Sequence, residues 1–281
     1  MNIYNGLERF REVISFQSDE KRYKAWFNYY EEYQEVFDAI FRTNYLADLN
    51  ALKPVINSLD FDTLLLKAEN GLALQPVTKI KESLLQCAEF FKFEEDFDVF
   101  LLVGFGHIDG TAPPTSKPSL YLGLERLAKS DINILIPHEF NHLVRFHKLN
   151  FAESSERLTV KQLAIAEGLA TITPLIVNQA ELIDANFAKA LMVSQENYRL
   201  LKTNFNKIEN EILKDFDQAL TQPLVEKYFM AKEGGHLPVK SGYYYGLIII
   251  TALLQNGVLL TDLTPSKSDE IYELYMNMQV D

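Results

Sequence analysis

Cysteine is almost missing from this chain: Cys87 is the single one among 281 residues. One thiol excludes an internal disulfide framework, and its place just after Leu84 and Leu85 in an expected helix marks it as a buried structural residue. Basic charge is also in deficit. Lys and Arg number 27 against 39 Asp and Glu, which gives a net charge of −12 and a pI near 5.0. So acidic a surface repels phosphate backbones and anionic membranes, so neither nucleic acid nor membrane is an expected partner. Long apolar runs are lacking as well. The best candidate, GLIIITALL at 246–254, has nine residues, about half of what a helix needs to cross a bilayer. Charge is mixed into the first dozen residues, MNIYNGLERFRE, so no secretory leader is expected. With the lone thiol, this points to a cytoplasmic protein.

What is present is enough for a real core. Hydrophobic residues make up 47% and charged residues 23%, the balance of a folded globular chain rather than a disordered one. No internal repeat or low-complexity stretch interrupts it. Between about Glu20 and Asp48, the residues Tyr23, Trp26, Phe27, Tyr30, Tyr33, Phe37, Ile40 and Phe41 recur at helical steps of three and four. That stripe is read as core. A second helix is expected over Val77–Phe91. The texture then changes. DFDVFLLV at Asp96–Val103 reads as a strand that ends at Gly104, and SLYLGL at Ser119–Leu124 reads as another. Between them lies a loop with three glycines and three prolines, GFGHIDGTAPPTSKP. His107 in that loop is read as a surface polar residue. From Pro137 onward the chain looks helical. Pro137 is placed at a helix start, where its missing N–H costs nothing. Thr159 and Gln162 form a capping box at the head of the next helix. Patterned helical segments follow near Ala185–Phe216 and Val239–Gln255, and a last helix opens at Ser266–Glu270. The expected class is α+β and mostly helical. Residues 1–95 form a helical amino-terminal portion and residues 96–281 a catalytic region, joined as one unit.

The chemistry centres on HEFNH at 138–142. Residues four apart share a helix face, so His138 and His142 point the same way and can hold one metal ion. Glu139 falls to the side, where its carboxylate can take a proton from a water on the metal without ligating it. The run is H-E-x-x-H. It follows the apolar stretch INILI at 132–136, so its helix starts inside the fold. A catalytic zinc needs a third protein ligand and one open position. His147, five residues after His142, points away. The longer pattern H-x-x-G-x-x-H fails, because Arg145 and Lys148 stand at its remaining positions. Glu167 in AIAEGLAT is the better candidate. A carboxylate in so apolar a stretch needs a partner, and the small residues around it would let its helix pack closely on the His helix. Glu153 and Glu156 are the next candidates. Arg145 is expected to pair with a carboxylate in a structural role.

HEFNH followed by AEGLA resembles the gluzincin metallopeptidases, which are thermolysin-like in ligand set. IPHEFNHLVR, AEGLA and SGYYYGLIII together resemble a bacterial family of predicted zinc-dependent proteases, over roughly residues 95–255. The resemblance implies His138, His142 and Glu167 as zinc ligands and Glu139 as general base. It also implies a zincin-like catalytic region with a small mixed or antiparallel sheet beside the HExxH helix. Gluzincins often add a tyrosine or histidine donor for the developing oxyanion. Here Tyr243 is the leading choice among Tyr243, Tyr244 and Tyr245, with His236 as the alternative. Gly242 and Gly246, four apart, would let the tyrosine helix approach another closely. The expected function is therefore a zinc peptidase acting on a peptide or protein substrate. Its rivals are a zinc hydrolase of a non-peptide amide and a helical interaction protein with a vestigial metal site. The strand at Ser119–Leu124 is expected at the sheet edge beside the zinc, where it could pair with an extended peptide.

Overall fold

The amino-terminal tetrapeptide NIYN carries no strand signal of its own, yet it forms the first strand. In the computed structural model, which describes residues 1–153, 158–230 and 235–278, the elements run as follows. β1 (Asn2–Asn5) is followed by six helices: α1 (Leu7–Ile14), α2 (Asp19–Glu32), α3 (Gln34–Asn44), α4 (Leu49–Asn57), α5 (Phe61–Leu74) and α6 (Val77–Phe91). Then come β2 (Asp98–Leu102), β3 (Gly110–Thr111), β4 (Ser119–Gly123), a 3-10 turn (Leu127–Lys129) and α7 (Ile132–Lys148). The remainder is helical: α8 (Val160–Val177), α9 (Asp184–Ala190), α10 (Gln195–Thr203), α11 (Phe205–Asp215), α12 (Gln222–Tyr228), α13 (Ser241–Gln255), α14 (Leu260–Leu263) and α15 (Ser268–Met278). The class is α+β, mostly helical with a small mixed sheet, as expected. The chain divides into two compact units, Met1–Leu143 and Val144–Asp281. The cut falls inside α7.

In the first unit the strand order is β1-β2-β4-β3. β1 and β4 both run parallel to β2, with Val99 opposite Ile3 and Leu120, and β3 runs antiparallel to β4. Tertiary pairing alone makes β1 a strand; Asn2 N–H donates to Phe97 O at 3.1 Å and Gly6 N–H to Leu101 O at 2.9 Å. The expectation of an edge position for Ser119–Leu124 is wrong. β4 is interior, and all five of its residues are buried. A strand covered on both faces reads as a continuous apolar run, which SLYLG nearly is. Beyond β4 the edge is β3, a two-residue strand inside the segment read as a loop, and β1 is the opposite edge.

The aromatic stripe is core, split between α2 and α3 at Tyr33. Trp26 stacks on Tyr30 with 5.8 Å between centroids, Tyr30 on Phe41 at 6.0 Å, and Phe41 on Phe105 at 5.4 Å. α6 has the bounds expected of it. Cys87 on it is fully buried, and burial pushes its thiol up to about 12.

α7 begins five residues before Pro137, which corrects the expected start. Asp131 opens the helix instead: its carboxylate accepts from Asn133 N–H at 3.0 Å and its carbonyl from Leu135 N–H at 2.8 Å. Pro137 then sits inside the helix and forfeits one i→i−4 hydrogen bond. INILI therefore supplies the first turns of α7 rather than a lead-in.

In the second unit, α8 opens on the expected capping box, with Thr159 Oγ1 accepting from Gln162 N–H at 3.2 Å and Gln162 returning the bond at 2.9 Å. The small residues of AIAEGLAT meet α13, although the sequence points them at the His helix. A Cβ on Gly246 would stand 1.7 Å from the Ala164 carbonyl oxygen, and one on Gly168 would stand 2.3 Å from the Gly246 carbonyl carbon. Only glycine permits backbone contact this close. The long segment expected near 185–216 is broken into α9, α10 and α11, with Met192 left-handed at one break. Among the described residues α8 is the one helix long and apolar enough to cross a membrane, longer than the GLIIITALL run of the sequence. Some 72% of it is buried, the position of a core helix.

Candidate metal and catalytic site

α7 carries His138, Glu139 and His142, all buried. Its hold in the first unit comes from Phe140, whose ring meets Phe93 at 5.8 Å, Phe97 at 5.4 Å and Phe91 at 6.2 Å. Such edge-on and stacked pairs fix the rotation of the helix about its axis. The His138 and His142 rings lie 5.0 Å apart at 75°, as residues one turn apart should. Each offers one nitrogen and Glu167 offers one carboxylate oxygen, and these three atoms all lie within 4.8 Å of one another. Two imidazoles and a carboxylate at that spacing are a donor set that zinc accepts. Glu139 is not a member of the group, as a residue 100° round the helix from His138 should not be.

β3 lies against Glu139. A Cβ built on Gly110 would stand 2.9 Å from Glu139 Cγ and 3.2 Å from Leu135 Cδ1. A side chain at 110 would displace the carboxylate, so the strand edge approaches it only because residue 110 is glycine. Nothing in the sequence singled out this residue. The available signal was the glycine content of the loop, which is too general to point at one position.

The other candidates are placed as follows. Arg145 is fully buried near the end of α7 and does pair with a carboxylate. Its Nη2 donates to Glu153 Oε2 at 2.6 Å and to Ser268 Oγ at 2.9 Å, and its Nη1 donates to the Thr264 and Ser266 carbonyls at 3.0 and 2.6 Å. Burial works against the Arg145 charge and Glu153 opposes that effect. Glu153 is thereby engaged, with Ser268 N–H also donating to its Oε1 at 3.0 Å, and it does not belong to the three-residue group. Glu156 lies outside the described residues. His147 is half-buried and His107 is exposed, with its Nδ1 2.7 Å from the Phe105 carbonyl; neither belongs to the group.

Tyr243 sits in the first turn of α13, half-buried. Its ring lies 6.0 Å from that of Phe229, and Lys240 Nζ is 4.9 Å from its centroid. Tyr244 and Tyr245 are buried in the core beside Phe205. His236 is exposed and lines a depression of about 450 Å³ with Ser194, Asn197 and Asn204, none of them a member of the metal group. Its carbonyl accepts from Lys207 Nζ at 2.7 Å.

No curated protein and no solved structure matches the chain. The sequence model of one family, described as predicted Zn-dependent protease (DUF2268), matches residues 109–273, a span that takes in HEFNH, Glu167 and α13. With more than half of its length matched, this chain belongs to that family of predicted Zn-dependent proteases.

Proposed function

We propose that this chain is a zinc-dependent peptidase in which His138, His142 and Glu167 hold the metal and Glu139 is the general base. One observation carries the reading: three ligand atoms converge within 4.8 Å while the buried Glu139, outside that group, lies against the edge of a sheet. Zinc held there would act as a Lewis acid and acidify a coordinated water. Glu139 takes up the water's proton at a carboxylate oxygen and delivers it to the departing amide nitrogen. A purely structural metal site has no use for such a base, which disfavours the vestigial-site reading.

The peptide class rests on β3. It pairs with β4 on one side, and no other described strand pairs with it. An extended peptide laid along that edge gains backbone hydrogen bonds with little regard to its sequence. A hydrolase of small non-peptide amides would not need that edge. For the oxyanion donor the geometry favours Tyr243 over His236. Tyr243 is one turn from Gly246, which meets α8 at Ala164 and Gly168, the turn that also carries Glu167.

The test pairs metal analysis with turnover of a mixed peptide library. Wild-type protein should hold about one zinc per chain and cleave peptides. Glu139→Gln should keep its zinc and lose roughly two to four orders of magnitude in turnover. A Glu139→Gln protein with full zinc and full turnover would remove the general base from the reading.

A further inference from the structure

Directly after β4 the chain places two charged residues side by side, Glu125 and Arg126, for which the proposed chemistry has no use. Glu125 is almost fully buried. Its carboxylate divides between two backbone donors, Gly104 N–H to Oε2 at 3.1 Å and Gly106 N–H to Oε1 at 2.9 Å. Burial pushes this carboxyl above the usual range, and those two donors pull it back. Arg126 grips the same loop. Its Nε donates to Asp109 Oδ1 at 2.6 Å and its Nη1 to the Gly106 carbonyl at 3.3 Å. The backbone adds Gly123 N–H to the Asp109 carbonyl at 3.0 Å. The loop is seated without slack: a Cβ on Gly104 would stand 2.3 Å from the Tyr121 hydroxyl, and one on Gly123 would stand 2.4 Å from the Ile108 carbonyl. Residue 109, the end of this braced stretch, is followed at once by Gly110, the β3 residue that lies against Glu139.

We propose that Glu125 and Arg126 are positioning residues for substrate: by bracing the loop at 104–109 they fix the height and register of the β3 edge beside Glu139, and so set how an extended peptide lies on it. This rests on the peptidase reading above. The physical reason is stiffness. A two-residue strand cannot hold its own register, because its pairing with β4 spans only Gly110 with Leu122 and Thr111 with Tyr121. Charge-assisted hydrogen bonds are shorter and stronger than neutral ones, and here they fasten the loop at Gly104, Gly106 and Asp109. An edge that wanders in register offers a docked chain fewer backbone hydrogen bonds at once, so the loss falls on binding.

The test uses the full chain loaded with zinc. Arg126→Ala removes a side chain that is 28% exposed, so the core stays intact. Glu125→Gln keeps size but turns an amide NH₂ toward one of the two backbone donors. Four quantities are read: zinc per chain, amide hydrogen exchange over residues 104–111, and KM and kcat on one peptide from the library screen. Zinc should be unchanged. Exchange over 104–111 should rise about tenfold. KM should rise about tenfold with kcat altered less than about twofold, the signature of lost binding rather than lost chemistry. Arg126→Lys, which keeps the charge opposite Asp109, should return KM part of the way. If Glu125→Gln does not fold, Arg126→Ala and Arg126→Lys still decide the matter. Unchanged exchange overturns the proposal, as does faster exchange with KM unmoved, or a fall in kcat alone. Failure of the underlying reading shows separately, as wild-type protein that holds zinc and cleaves no peptide, since exchange is read without substrate.

Discussion

α7 and α8 carry the two parts of the proposed ligand set, and they are held in opposite ways. α7 is fixed by directional groups: the Phe140 ring among Phe91, Phe93 and Phe97, and the Arg145 guanidinium with its four hydrogen bonds. α8 is fixed by shape. It is apolar on nearly every side, and its Ala164–Gly168 turn lies directly on the Gly246 backbone. Removing atoms should therefore damage α7, and adding atoms should damage α8. A helix held by buried charge fails by leaving a charge alone; one held by close packing fails by being pushed away.

The largest effect bears on the ligands themselves, which come from both helices. His142→Ala should drop metal content from about one zinc per chain to less than roughly a tenth, because two remaining ligands bind poorly. Glu167→Ala should also weaken zinc binding while α8 persists, since alanine is a good helix former. Metal analysis of each purified variant checks this, and wild-type zinc in either one would take that residue out of the set.

Breaking the buried ion pair comes next. Arg145→Ala strands Glu153, so it should destabilise the protein by about 3–5 kcal/mol, as read by chemical denaturation. The double change Arg145→Met with Glu153→Leu should recover much of that, because no charge is then left buried. A double variant as unstable as Arg145→Ala would mean that the pair itself, rather than its orphaned half, holds α7.

The converse test adds one methyl group to α13. Gly246→Ala would gain about 1 kcal/mol from helix propensity, yet its Cβ would stand 1.7 Å from the Ala164 carbonyl oxygen. The net result should be a loss of about 1–3 kcal/mol together with weaker zinc binding, because Glu167 shares that turn of α8. A more stable Gly246→Ala protein would show that α8 can move aside freely, and would blunt the contrast. The smallest expected effect is Thr159→Ala, which removes half of the capping box and should cost about 1 kcal/mol with zinc retained.

The residues of the site were more legible than the surface around it. HEFNH states its own geometry, because the spacing of four is a property of one helix and needs no partner. The Thr159 capping box and the bounds of α6 are equally local. Glu167 stood out because a lone carboxylate in AIAEGLAT is costly to bury. By contrast, the sequence put SLYLGL at the sheet edge and the α8 small residues against the His helix, and both depend on which distant segment arrives as neighbour. The start of α7 differs for a related reason, because Pro137 is a local signal for a first turn. The Asp131 cap, six residues upstream, outweighs it.

By itself, then, the sequence determined the class, the HExxH helix and a set of ligand and base candidates, since each follows from composition or from spacing within one element. Only the tertiary structure decided that β4 is interior and β3 an edge, that α8 packs by glycine contact on α13, that Arg145 is locked to Glu153, and that Glu125 and Arg126 bond to the loop that leads into β3. These are pairings between residues far apart in the chain. Local pattern constrains which face a residue presents, but only the folded backbone brings a particular partner to meet it.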